Sequence, residues 1–176
     1  MFIMRYPLLF RTVLCLLVLT IAPAIHAADN IQVYFSPSGG ATAAIIQAIE
    51  QETQQIRVVA YSFTSAPIAQ ALIAAHRRGV SVSVILDKSQ LTEQYTSATF
   101  LAHADIPVRI DAAHAIAHSK YMILGADRVI TGSFNFTRAA EDRNSENLLV
   151  IYDRALATTY LHNWHTHFQH ATPYPR

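Results

Sequence analysis

IRVVAYSFTSAPIAQALIAAHRRGVSVSVIL, residues 56–86, carries three patterns in a single run. Apart from Arg57, residues 56–61 are apolar and rich in β-branched side chains, the composition of a buried strand. Across residues 66–78, Ile68, Leu72, Ile73 and Ala75 fall on one helical face; Ser65 stands where an N-cap belongs and Gly79 stops the helix. Residues 80–86 alternate Val-Ser-Val-Ser-Val before turning apolar, which is a second strand. Strand, helix and strand within about 30 residues form a right-handed βαβ unit with parallel strands. The chain is therefore expected among α/β folds.

Working outward, residues 31–35 alternate as a strand, Ser36-Pro37-Ser38-Gly39-Gly40 is a turn, and residues 41–55 carry Ala44, Ile45, Ala48 and Ile49 at helical spacing. Downstream, residues 106–110 form a short strand and residues 112–117 a loop. Residues 119–124 and 128–131 flank Gly125-Ala126-Asp127 as a hairpin, and residues 147–152 are a last apolar strand. Asp153 caps a helix running to about His170, and residues 172–175 are expected to be loose. With no low-complexity linker and no internal repeat, residues 28–176 read as one domain: a mixed, mostly parallel β-sheet flanked by helices on both faces.

The first 27 residues stand apart from that domain. Arg5 and Arg11 precede an apolar run over residues 12–22 and then a small-residue stretch, the layout of a secretory signal peptide too short to span a bilayer comfortably. Cleavage is expected after Ala27, with Ala24 as the rival site, delivering a periplasmic or secreted protein with no stable membrane insertion. The remaining 149 residues are enough for one core. Of 13 basic and 12 acidic residues only Arg5 and Arg11 leave, so the net charge moves from +1 to −1. No basic tail or stripe then argues for a nucleic-acid partner. Cys15, the lone cysteine, leaves too, which excludes an intramolecular disulfide and a thiolate metal site.

The chemistry concentrates in His118-Ser119-Lys120 and, twelve residues past the lysine, Gly132-Ser133-Phe134-Asn135. Alternate residues of a strand share a face, so His118 pairs with Lys120 and Ser133 with Asn135. A hairpin turning about Ala126 sets Lys120 opposite Gly132 and His118 opposite Phe134, and the polar side chains meet at its open end. Beyond that end the strand is Tyr-Met-Ile-Leu, apolar on both faces. Such a cluster suits a phosphate diester. A lysine, an amide and a hydroxyl can hold the non-bridging oxygens, and Gly132 would let the backbone approach the ligand. An imidazole, titrating near pH ~6.5 as a free side chain, can attack phosphorus or move protons.

The order His-x-Lys, then Gly-Ser-x-Asn at this distance, is similar to the signature of the phospholipase D superfamily. GSFNFTRAAEDRNSEN (residues 132–147), together with AYSFTSAPI (residues 60–68), resembles the small exported endonucleases often encoded on bacterial conjugative plasmids. The likeness runs from Val33 to about Trp164. It implies that His118 is a nucleophile forming a phosphohistidine, that Lys120, Ser133 and Asn135 bind the phosphate, and that Glu146 orients the imidazole. No cofactor and no metal are implied. Longer members carry two copies of the motif; this chain carries one, which implies a homodimer sharing its active site. The implied substrate is nucleic acid: DNA, with RNA as a further candidate. A lipid phosphodiesterase using the same residues, and a non-catalytic assembly or DNA-binding protein retaining the fold, are the alternatives. One position departs: the family's aspartate five residues after the lysine is Gly125 here, and Asp127 follows in the turn. Its place at the far end of the hairpin points to a role in stability.

Other candidates have plainer expectations. His162, His165, His167 and His170 lie in the terminal helix, but residue 167 falls about 160° from 165 around a helix of 3.6 residues per turn, so a solvated histidine-rich surface is expected and not a zinc site. Phe134 is expected in the core, although it and Phe136 could stack on bases. Tyr61, Ser62 and Phe63 end the strongest strand near the site, with Ser62 the possible neighbour. Arg138 and Arg143 could touch a phosphate backbone or simply be surface. His103 and His114 are expected at the surface.

Overall fold

A computed structural model describes residues 30–175, and the expected leader with both of its cleavage sites lies outside them. The elements run β1 (Ile31–Ser36), α1 (Ala41–Gln51), β2 (Gln55–Ala60), α2 (Ala66–Arg77), β3 (Ser81–Asp87), α3 (Ser97–His103), β4 (Val108–Asp111), β5 (Lys120–Leu124), β6 (Arg128–Gly132), α4 (Arg138–Asp142), β7 (Glu146–Tyr152), α5 (Arg154–His170) and β8 (Thr172–Pro173). The strands form one sheet in the order β1-β7-β6-β5-β2-β3-β4-β8.

The α/β class and the mixed sheet are as expected; the balance of directions is not. Only β2–β3 and β3–β4 are parallel, and the other neighbours are antiparallel. The βαβ unit makes its parallel strands through α2, whereas three residues between β5 and β6 permit only a hairpin. That hairpin then joins β2 from the other side, and β1 returns to β7, adding antiparallel pairs around a parallel centre.

Helices cover both faces. On one face, Ile45 and Ile49 of α1, Ile68 and Leu72 of α2, and Leu101 of α3 pack against Val58, Val84, Met122 and Ile130. On the other, α5 sets Ala157 and Trp164 on Val59, Ile85, Tyr121 and Ile123. Trp164 is buried and its indole N–H donates to the Val58 carbonyl at 3.3 Å. Asp153 caps α5 as its sequence suggests, accepting from the Leu156 amide. Ser65, by contrast, makes no side-chain cap on α2; its carbonyl accepts from the Ala69 amide while Pro67 opens the helix. The tail is not loose: Thr172 pairs with Ile110, and the Tyr174 amide donates to the Val108 carbonyl. Arg109 fixes the same corner, lying 4.4 Å over the Phe168 ring and donating to the Ala171 carbonyl.

The β5–β6 hairpin has the expected register, Tyr121 opposite Thr131 and Leu124 opposite Arg128. At its tight end Gly125 has φ +60°, a conformation that favours glycine, and a side chain there would start 3.0 Å from the Glu52 carboxylate. Glu52 is buried and accepts from the amides of Thr53 and Gln54. The structure thus supplies a carboxylate beside position 125 from a different part of the chain. Restoring the family's aspartate by Gly125→Asp should destabilise the fold by about 1–2 kcal/mol. Gly125→Asn, which shares the backbone preference but not the charge, should lose less. Thermal denaturation of the two variants is the check, and equal losses would rule out repulsion by Glu52.

Candidate active site

His118 and Ser119 precede β5, and Ser133 and Asn135 follow β6, so the site lies just past the paired end of the hairpin. Its mouth opens because β6 leaves β5 to follow β7. The Asn147 carbonyl accepts from the amides of both Ser133 (3.1 Å) and Phe134 (3.3 Å). Gly132, which also lines the cavity, is required for this departure. It has φ +153°, and a Cβ there would lie 2.2 Å from the Asn147 carbonyl oxygen. The glycine therefore permits one strand to close on another.

The residues marked in the sequence come together. A cavity of about 680 Å³ is lined by His118, Lys120, Ser133, Asn135 and Glu146, with Tyr121, Thr131 and, from α5, Thr159, Tyr160 and Asn163 among the others. His118 is exposed and Lys120 is buried. The Lys120 ammonium stands 2.8 Å from His118 Nδ1 and donates to the His118 carbonyl at 2.5 Å. Burial pushes the Lys120 pKa down, and the nearby Glu146 charge opposes that shift. Ser133 donates its hydroxyl to Glu146 at 2.6 Å and accepts from the Asn147 amide at 3.0 Å. Glu146 also accepts from Asn144 at 3.1 Å, so both of its hydrogen bonds go to residues other than His118. The Asn135 amide oxygen is buried, with no hydrogen-bond partner among the described residues.

Tyr61, not Ser62, is the neighbour contributed by β2's end. Its ring lies 4.5 Å from the His118 ring and 5.1 Å from the lysine ammonium, so it packs beside both groups. Phe134 and Phe136 are both buried and unavailable to stack on bases. Arg138 is exposed and paired with Asp142, and neither it nor Arg143 lines the cavity.

Two groups that sequence reasoning missed control the loop leading to His118. Asp87 and Asp111 are register partners at the ends of β3 and β4, and both are buried. Asp87 accepts from the Ala117 amide at 2.7 Å and from the Ser89 amide at 2.9 Å. Burial acts to raise its pKa, but these backbone bonds bring it below the usual carboxylate value. Asp111 accepts from the Ala113 amide and faces His114, His167 and His170. Here too burial acts upward, yet hydrogen bonds from His167 and His170 hold the carboxyl at about 2. The signal available in the sequence was an aspartate closing each apolar strand; the expected strands stop one residue short of both.

Comparisons with known proteins agree with this geometry. The sequence profile of the family described as cardiolipin synthase, PLD-like domain, matches residues 45–170. A protein named phospholipase D from Rickettsia prowazekii is 44% identical over 136 residues, 77% of this chain and 66% of that protein, so the chain spans just under two thirds of that relative's length. The crystal structure of a phospholipase D family member, Nuc from Salmonella typhimurium, superposes with a TM-score of 0.79. It is 39% identical, and the match covers 83% of this chain and 98% of that one. NucT from Helicobacter pylori shares the fold at a TM-score of 0.75 and 20% identity, over 82% of this chain and 98% of its own.

Proposed function

The chain belongs to the phospholipase D superfamily, and from that premise we propose that it is a metal-independent phosphodiesterase, an endonuclease cleaving DNA and RNA through a phosphohistidine. The observation that carries the choice of substrate is the cavity wall. None of the residues lining it is aliphatic; it offers hydroxyls, amides, an ammonium and tyrosine rings. That surface offers a sugar–phosphate strand hydrogen-bonding groups and rings to stack on. Among the described residues no helix is long and apolar enough to cross a membrane. The Rickettsia relative's name keeps a phospholipid headgroup as the second substrate to be tried.

In this mechanism the phosphate enters between Lys120, Ser133 and Asn135. Lys120 turns from His118 Nδ1 to a non-bridging oxygen, and Ser133 redirects its hydroxyl from Glu146 to another. Once Lys120 has left Nδ1, the neutral ring carries its proton there and donates it in a hydrogen bond to the freed Glu146 carboxylate, which stays ionised, orients the imidazole and leaves the Nε2 lone pair to attack phosphorus. The bond to the leaving oxygen breaks, and that oxygen takes a proton from His118 of the partner subunit. Water, deprotonated by the same second imidazole, then cleaves the P–N bond and restores the first.

A homodimer supplies the two imidazoles. Its support is an exposed apolar strip on β1: Ile31 and Val33 are 51% exposed and Phe35 66%. Their register partners on β7 include the half-buried Leu149 and Ile151, on the same side of the sheet. The strip ends at the site, since Phe35 and Ser36 pair with Asn147 and Glu146. Such a surface suits a two-fold contact that brings two sites together. The protein is further proposed to be exported, with N-terminal sequencing finding Ala28 or, for the rival site, Ile25.

The chemistry needs no metal ion at the cavity, where Glu146 is the only carboxylate. Incubated in excess EDTA, the wild-type protein should nick plasmid DNA and degrade RNA while releasing no headgroup from phospholipid vesicles, and the His118→Ala protein should do none of these. Loss of nicking in EDTA with recovery on adding Mg²⁺ would overturn metal independence. Headgroup release without nicking would move the substrate to lipid.

A further inference from the structure

Away from the cavity, three imidazoles and a carboxylate meet where α5 ends against β4. His114 Nδ1, His167 Nδ1 and His170 Nε2 lie 3.1, 2.6 and 3.2 Å from the same Asp111 oxygen, Oδ2. The four ligand atoms all lie within 4.8 Å of one another. Asp111 is fully buried and His167 nearly so, whereas His114 and His170 are 48% and 32% exposed at the side chain, which leaves an entry path. The three rings also face one another, with centroids 5.2 to 5.6 Å apart.

The helical spacing of the histidines did not reveal this. His167 and His170 are three residues apart and share a face of α5, but the other two ligands arrive from β4 and the loop after it. His162 and His165 are not among the four.

We propose that Asp111, His114, His167 and His170 form a structural site for one divalent transition-metal ion, Zn²⁺ above all. Three nitrogens and one carboxylate oxygen are a set that imidazole-preferring metals favour and that Mg²⁺ and Ca²⁺, which prefer oxygen, do not. Ligands of tetrahedral zinc at ~2.0–2.1 Å stand roughly 3.3 Å apart, so His167 must open from its 2.6 Å contact with Asp111 and the wider pairs, none beyond 4.8 Å, must close, with two of the side chains exposed and free to adjust. Each imidazole must present a lone pair where it now faces Asp111, so any ring that is charged releases its proton on binding. Four protein ligands leave no open position, which makes the site structural and separate from the hydrolytic chemistry. It would clamp the C-terminal end of α5 to the loop that runs on to His118, a clamp that hydrogen bonds to Asp111 otherwise provide.

Tag-free protein, stripped with EDTA and desalted, provides the test. Titration with ZnCl₂ should show one tight site per chain, and Co²⁺ should give the visible absorption of tetrahedral coordination. At a hundredfold excess of Zn²⁺ over Kd, Tm should rise by about 5–10 °C, while Mg²⁺ and Ca²⁺ change nothing. His114→Gln combined with His170→Gln alters exposed side chains, so circular dichroism should be unchanged while zinc affinity falls at least about a hundredfold. His162→Gln combined with His165→Gln should bind as the wild type does. The proposal fails if the wild type binds no zinc, if zinc leaves Tm unchanged, or if the His162 and His165 pair weakens binding as much as the His114 and His170 pair.

Discussion

Replacing His118 by alanine should lower phosphodiester hydrolysis by at least about 10⁴-fold while leaving the fold intact. Both halves of that outcome follow from position. The side chain is exposed and precedes β5, so its loss opens no hole in the core. The chemistry proposed for it, attack in one subunit and proton transfer in the other, has no substitute in the cavity, where among the described residues it is the only imidazole. The sharper result concerns mixed dimers of wild-type and His118→Ala chains. If two imidazoles serve one shared site, every mixed dimer lacks one of them, and mixed dimers should be nearly inactive. Retention of half the activity would mean that each subunit works alone. The same pairing requires one imidazole neutral and the other charged in the free enzyme. The rate should therefore pass through a maximum with pH, its two limbs belonging to the pair and not to either ring. A single sigmoid would contradict the shared site.

Lys120→Ala should cost about 10²–10³ in kcat/KM, divided between weaker binding and slower turnover. Among the described residues Lys120 is the only lysine or arginine lining the cavity, and a phosphate diester is negative in both the ground and transition states. A second loss is built in, because Lys120 also holds the His118 ring and carbonyl. Lys120→Arg should rescue only in part, since a planar guanidinium cannot reproduce the point-charge contacts that the ammonium makes with the His118 ring and carbonyl. Steady-state kinetics on both variants, with circular dichroism to confirm folding, separates the outcomes. A rise in KM alone would make Lys120 a binding residue with no share in the chemical step.

Much of this site was legible before any coordinates, for a physical reason. His118, Lys120, Ser133 and Asn135 lie on two short segments joined by a tight hairpin, so strand periodicity and one turn were enough to bring them together. The register followed from Gly125-Ala126-Asp127 alone. Contributions from distant elements stayed hidden. Tyr61, Asp87 and Asp111 act at strand ends whose neighbours are set by sheet order, and periodicity within one strand carries no information about the next. The direction of the sheet failed for the same reason: the βαβ unit is local, whereas the places of β5 and β1 depend on long-range pairing. Glu146 is an intermediate case. Its presence in the cavity followed from the motif, but its hydrogen bonds to Ser133 and Asn144 did not.

The pairing of β1 with β7 has a consequence for time. It joins positions 110 to 120 residues apart, so β1, made long before β7, is among the last of the described strands to find its place. Until Glu146–Tyr152 has been synthesised, a nascent chain holds Ile31, Val33 and Phe35 on a strand with no neighbour, and a chain cut short before that point keeps them so. The same order protects assembly. The sheet edge proposed to meet a second copy exists only once β7 is seated, so two chains cannot join properly before each has closed its own sheet.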